Sequence, residues 1–379
     1  MKIFWCIIIA LLLSSPIVVA QEALAKTVID GETGTPVVNA HVYMLDALRT
    51  GTVTNRDGVF TLKSVADSSV VKISHIAYVD FIKPVSKMSS DTIVLKTKSN
   101  KLEEVVVRPR GSMLTGRALI NNVIDSLERN HFVEPVMYQA YVRVLEFEQD
   151  YSELHVLSEY LFNVYQNERS KSEIQILKTR AKPFSKAGRK YFKDMRMISA
   201  ISINADNIFR FQDDIFKRRK LKHFEFSIHP DLTKRSNDLM ALHCSSNRDN
   251  ERYVLFVDRE TFAISKMIKY YTDTDEEFLE IGFKKIENKW YLDYSNRKRH
   301  SDLFSKWKPN TNTIFERKVI YNVDTNTHYD KENFKSAFNL VAEPIKRPLG
   351  DWSDDFWKDY NFVPLPTWIK TKIEQDDEQ

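Results

Sequence analysis

His131 and Glu134, in His131-Phe132-Val133-Glu134, are spaced as two ligands of a zinc ion can be. A zinc site needs at least one further protein ligand. Pro135 follows at once, and no glycine-bearing loop stands nearby to deliver it. The carboxylate pairs Asp213-Asp214 and Asp354-Asp355 are adjacent in sequence, so regular structure need not turn both members of a pair into one cleft, and both pairs read as surface. Six of the nine glycines lie before residue 117, leaving Gly188, Gly282 and Gly350, so the chain has no phosphate loop and no dinucleotide fingerprint. Gly-x-Ser-x-Gly and His-Glu-x-x-His are absent too. The sequence therefore predicts no catalytic residue, no cofactor-binding residue and no metal ligand. The chain reads as a non-enzyme that uses no cofactor.

The first residues carry an address. Lys2 is followed by the apolar run Ile3 to Leu13, and Pro16 then leads to Val18 and Ala20, small enough for the −3 and −1 positions of signal peptidase. Residues 1–20 are expected to be a signal peptide cleaved after Ala20, delivering the chain to the periplasm or the outer membrane. The alternative, an uncleaved anchor, meets a run shorter than the ~20 residues of a spanning helix. Cys6 lies inside the apolar run, which argues against a lipoprotein site. Cys244 would then be the sole thiol, expected to be buried and structural within Leu239-Met240-Ala241-Leu242-His243-Cys244. Without an internal disulfide, stability must come from core burial.

A net charge of +4 over 379 residues favours neither a nucleic-acid nor a polyacidic partner. Export makes nucleic acid less suitable still. The clusters Lys217-Arg218-Arg219-Lys220 and Arg297-Lys298-Arg299-His300 read as solvated ends of elements, with lipid phosphates as the alternative. The aromatic content of 12% favours strands over helical bundles.

Residues 24–107 alternate turn signals with β-branched runs. Asp30-Gly31-Glu32-Thr33-Gly34-Thr35-Pro36 is a turn segment, and Ala40, Val42 and Met44 form the inward side of a strand. Asn55-Arg56-Asp57-Gly58 turns into Val59-Phe60-Thr61-Leu62, a hairpin cue. Strands at 70–74, 81–82 and 92–95 complete a seven-stranded antiparallel sandwich. These residues resemble the carboxypeptidase-like regulatory domain, a transthyretin-like sandwich found in envelope proteins of Bacteroidetes-type bacteria. The resemblance rests on Val28, Asp30, Thr33, Gly34, Pro36, Ala40 and Val42. Gly51, Thr52, Thr54, Asn55, Gly58, Phe60 and Leu62 continue it, with Ile76-Ala77-Tyr78 at a third station. It implies a folding signature and no active site. In zinc carboxypeptidases such a domain follows the catalytic one; here it precedes His131, which counts further against a metal site.

Leu102-Glu103-Glu104-Val105-Val106-Val107 would close this domain as an edge strand, and residues 108–116, with Pro109 and Gly111, form a linker. In TonB-dependent transporters such a run leads to a barrel, but the about 270 residues left are too few for twenty-two strands. Residues 117–379 read as an α+β domain built on a long antiparallel meander, making the whole chain mainly β. A helix over 115–130 starts at Thr115, with Leu119, Ile120, Val123, Ile124 and Leu127 as its apolar stripe. Tyr138, Ala140, Val142 and Val144 then alternate with Gln139, Tyr141 and Arg143. Strands are expected at 153–167, 173–180, 221–228 and 237–244, hairpins at Asp258–Glu260 and Glu287–Lys289, and helices around 205–218 and in the tail. The region also resembles the C-terminal part of larger envelope proteins carrying the same regulatory domain, through Tyr141, Ser158-Glu159, Arg180 and the terminal Phe356-Trp357-Lys358-Asp359-Tyr360-Asn361. That resemblance implies location and architecture. The terminal aromatics are expected to dock on the sheet.

Three functions compete. An interaction or assembly module for an envelope protein or glycan would have a filled core. A periplasmic carrier of an outer-membrane lipid or acyl chain would hold an apolar concave face open to solvent. A zinc carboxypeptidase-like hydrolase would need a polar pocket with acid and base bonded to each other. The first is the favoured reading.

Overall fold

Short polar side chains bonded to their own backbone set the turns of the first strands. Asp30, ending β1 (Leu24–Asp30), accepts the N–H groups of Glu32 and Thr33 at 2.7 and 2.9 Å and the Tyr78 hydroxyl at 2.6 Å. These bonds hold its carboxyl down at about 2. Asn55 Oδ1 accepts from Asp57 and Val59, both at 2.9 Å, and shapes the turn into β4 (Val59–Leu62). Gly58 sits there at φ 72°, where an added Cβ would lie 2.4 Å from the Val28 carbonyl oxygen.

The computed structural model describes residues 23–45, 51–63, 65–75, 78–97, 114–131, 136–166, 172–194, 213–229, 238–248, 251–271, 277–300, 313–324, 356–359 and 363–377. The leader, the 98–113 junction, Ile76-Ala77, Glu134, Asp354-Asp355 and Tyr360-Asn361 lie outside these residues.

Seven strands make the sandwich. β4, β1 and β7 (Thr92–Leu95) form one sheet; β3 (Gly51–Val53), β2 (His41–Met44), β5 (Val70–Ser74) and β6 (Phe81–Pro84) form the other. Ala40, Val42, Met44, Phe60 and Leu62 are buried between them, as their alternation predicts. One expectation is corrected: the sandwich is not wholly antiparallel, because β7 runs parallel to β1, with Thr27 opposite Thr92. A strand's direction relative to a distant partner leaves no mark on its side-chain period.

A ten-stranded antiparallel sheet follows. Its order begins at β10 (Ser172–Pro183), β9 (Leu154–Gln166) and β8 (Val136–Glu148), and continues with β17 (Thr313–Asp324) and β16 (Lys289–His300). It ends with β15 (Glu277–Ile286), β14 (Ile264–Tyr271), β13 (Glu251–Asp258), β12 (Leu239–Ser246) and β11 (Phe224–Ile228). The meander holds except at β17, which inserts between β8 and β16.

Helix α1 (Gly116–Asn130) begins at Thr115, whose hydroxyl oxygen accepts the Ala118 N–H at 3.1 Å. It lays Leu119, Ile120, Val123 and Leu127 on one face of the sheet, beside β11, β12 and β16, in one core with Tyr138, Ala140, Val142 and Val144 of β8. Cys244 belongs to this core, and burial pushes its thiol far up, as befits a structural cysteine. The expected helix at 205–218 is corrected over its described part. Residues 214–216 and 218–223 are 3-10 turns, so β11 starts at Phe224 and not at 221. Ile215, Phe216 and Leu221 are buried at spacings no α-helical stripe would use.

The other face of the sheet carries Tyr141, Leu161, Tyr294 and Ile320, packed with Val53 of the sandwich and with Trp357 of the short helix α3 (Phe356–Asp359). Helix α4 (Thr367–Asp377) covers Phe147 and Leu157 on this face through Ile369. Of the terminal aromatics, Phe356 and Trp357 do dock on the sheet. Among the described residues no helix is long and apolar enough to cross a membrane.

Candidate functional site

β15 alternates charge with bulk. Glu280, Gly282 and Lys284 are interleaved with Ile281 and Phe283, and those two pack toward α1. A strand of this kind normally gives its charged side to water. Here the sandwich covers it. Asn39, held at φ 59°, donates from Nδ2 to Glu280 Oε2 at 3.1 Å and accepts Lys318 Nζ at 2.8 Å. Arg56 pairs with Glu316 at 2.7 Å, and Asp57 Oδ2 accepts the N–H and hydroxyl of Thr367 at 3.0 and 2.9 Å, capping α4.

Between these contacts lies a cavity of about 420 Å³. From the sandwich, His41, Tyr43, Lys72, His75 and Asp80 line it; from the sheet, Asp258, Lys266, Lys284, Lys285 and Trp290. Its volume falls within the ~300–1,000 Å³ of ligand clefts. Lys72 meets Asp80 at 2.7 Å, Lys266 meets Glu280 at 2.5 Å, and Lys284 meets Asp293 at 3.4 Å. Glu280 also accepts the Tyr294 hydroxyl at 2.5 Å. Gly282 makes room for that ring, since a Cβ there would lie 2.0 Å from it. Burial, then His75, Lys284 and Lys266, hold His41 down at about 3, so the neutral imidazole donates Nδ1–H to Asp293. Burial also pulls the Lys284 ammonium down to about 8.

None of these residues stood out in the sequence. They come from separate strands, and the one signal that could have pointed to them is the two-residue alternation of charge on β15.

His131 is a structural acceptor. As the residue after α1, it takes the Ile264 N–H on Nε2 at 3.1 Å and stacks edge-on with Phe283 at 5.0 Å. Burial, with Lys289 adding, holds it down at about 3. A base whose folded value is depressed keeps its stability above the unfolded value and loses it as pH falls from about 6.5 toward 3. Unfolding measured against pH should therefore show an acid limb, and His131→Phe should flatten it by about one proton's slope. An unchanged limb would deny His131 this role.

Glu148, His155 and Ser185 form a bonded chain of carboxylate, imidazole and hydroxyl, the kind of arrangement a hydrolase needs. Glu148 Oε1 lies 3.0 Å from Nε2, and Ser185 Oγ lies 2.8 Å from Nδ1. Ser185 Oγ also accepts the Gly188 N–H at 2.8 Å, so it caps α2 (Lys186–Asp194). A Cβ at Gly188 would lie 2.1 Å from the His155 carbonyl oxygen, so the helix end is pressed onto β9. Glu153 brings a third ligand-type atom within 4.8 Å of the other two, but both His155 nitrogens already have partners. The group acts as a strut between β8, β9 and α2.

The residues behind the weaker C-terminal resemblance converge. Buried Glu159 accepts the Tyr141 hydroxyl, Arg143 Nε at 2.9 Å and Arg180 Nε at 2.6 Å, and the Arg180 guanidinium lies 4.7 Å from the Trp357 ring centroid. Arg143 donates onward to the carbonyls of Val363 and Pro364. The basic clusters are largely satisfied locally: Lys217 and Lys220 pair with Asp214, Arg218 with Asp125, and Arg299 lies over Phe315. Asp213 and Asp214 are half-buried, and Asp213 faces Lys269 at 3.9 Å.

No curated protein matches the chain. Among solved structures it is similar to a DUF1329 family protein from Desulfovibrio piger, at 10% identity, covering 58% of this chain and 97% of that one, with a TM-score of 0.26. An outer membrane lipoprotein-sorting protein domain from Vibrio parahaemolyticus matches at 8% identity, 57% and 96% coverage and a TM-score of 0.27. A LolA superfamily protein from Nitrosomonas europaea matches at 9%, 58% and 97%, with 0.25. Likeness of this degree assigns no activity. The sandwich is a different matter: a family model, that of the CarboxypepD_reg-like domain, matches residues 27–107.

Proposed function

We propose that the chain is a non-enzymatic binding module of the cell envelope, in which the sandwich and the long sheet jointly hold a group of another envelope protein or glycan. The observation that carries this reading is the seam cavity, whose wall is supplied by both units. A site shared in this way couples occupancy to docking of the sandwich, as an assembly module requires. The leader-like run from Lys2 to Ala20 supports export. A lipid carrier would hold its apolar face open, whereas the described apolar residues of that face are buried in one core with those of α1.

The test is capture from detergent-solubilised envelopes with the full chain as bait, followed by mass spectrometry of protein, lipid and glycan. Ser74→Trp and Ser265→Trp fill the cavity from opposite walls. A partner held by the wild type should be lost with both. The reading fails if both variants retain the same partners, and a co-purifying acyl species indifferent to both would favour the carrier.

A further inference from the structure

We propose that the seam cavity binds a neutral saccharide, an inference that rests on the cavity being the binding site. Charge balance is the first argument. Lys72, Lys266, Lys284 and Lys285 line it against Asp80, Asp238 and Asp258, while Glu280 and Asp293 lie beneath as ion-pair partners. Four cations against three lining carboxylates, or against five with the lower pair, leave a net charge of about one either way. A site built for a phosphate or a polyacid would carry a clear cationic excess.

Complementarity is the second. Carboxylates only accept hydrogen bonds and ammonium groups only donate them, whereas a hydroxyl does both. The wall sets acceptor-only Asp80 and Asp238 among donor-only Lys72 and Lys285, while Asp258 Oδ1 is held by the Glu260 and Thr261 N–H groups and the Thr261 hydroxyl. An anionic ligand would satisfy the lysines and be repelled by the aspartates; a cationic one would do the reverse. A polyol satisfies both without bringing a charge. Lys285 has no carboxylate partner among the described residues and remains available as a donor.

Aromatic surface is the third. Tyr43, half-buried, and Trp290, half-buried and also packed against the core beneath α1, line the same cavity from opposite units. Flat apolar rings with a polar surround suit a sugar ring, which has C–H faces and a hydroxyl rim.

The test is native affinity electrophoresis of the full chain through gels containing dextran, laminarin or soluble chitin oligomers, all neutral, and polygalacturonate as the anionic comparison. At least one neutral glycan should retard the wild type with little dependence on salt. Trp290→Ala and Asp80→Ala should each weaken that retardation by about tenfold or more. Asp80 is exposed, so its variant should keep the wild-type unfolding temperature. The inference is overturned if no neutral glycan retards the chain, if polygalacturonate binds more tightly in a salt-sensitive way, or if both variants bind like the wild type. A protein partner captured by the wild type and lost in the tryptophan-filled variants would leave the binding-module reading standing while this one fell.

Discussion

Glu159→Ala should destabilise the folded chain by about 3–5 kcal/mol, the cost of removing one partner of a buried ion pair. Such a loss is a large part of the ~5–15 kcal/mol by which a typical domain is stable. Glu159 is fully buried. Burial pushes its carboxyl up, but Arg143 and Arg180 outweigh that and hold it below the usual range. Without it, two guanidinium groups with exposures of 4% and 10% would share the sheet face with no anion between them. The damage should travel along Arg143 to the Val363 and Pro364 carbonyls, and along Arg180 to Trp357. Urea denaturation of the variant, together with limited proteolysis after residue 355, is the measurement. The arrangement is shown not to be essential if the midpoint shifts by less than the equivalent of ~1 kcal/mol. Replacing the whole network with apolar residues of similar volume is a different experiment, and can be nearly neutral.

Glu146→Gln should do the opposite and stabilise the chain at neutral and alkaline pH. Glu146 follows Val144 on the α1 face of β8, with Phe315 opposite across the strand pair. Burial pushes its carboxyl up to about 8, and Arg299 offsets only part of that. An acid whose folded value is raised contributes fully below its ordinary 4.5, and that contribution is lost as pH rises through 8. Glutamine keeps the shape and does not titrate. The two proteins should be nearly equal at pH 4.5 and separate by on the order of 4 kcal/mol by pH 8. Denaturation curves at pH 4.5, 6 and 8 decide the matter, and parallel behaviour at all three would mean that Glu146 is solvated or paired.

Much of the fold was legible because it rests on local rules. Asp30, Asn55 and Gly58 announce turns through bonds to their own backbone or through a left-handed φ, and they do so wherever the chain places them. Thr115 and the Leu119, Ile120, Val123, Leu127 stripe define α1 in the same way. The alternation of β8 correctly divided Tyr138, Ala140, Val142 and Val144 from Tyr141 and Arg143.

The candidate site was a different kind of problem. His41, Lys72 and Trp290 carry no spacing signal, and Lys284 only the alternation of β15, because the β2–β5 pair of the sandwich and the β15–β16 hairpin of the sheet meet only when the sandwich settles on the sheet. The insertion of β17 beside β8 is likewise non-local, and the parallel β1–β7 pair depends on a crossover invisible to either strand. Period and turn chemistry act over a few residues, so the amino-acid order by itself determined the strands, the helix and the CarboxypepD_reg-like signature. Which charged face would be covered, and by what, depended on contacts between residues as far apart as Asn39 and Glu280, and only the tertiary structure could decide it.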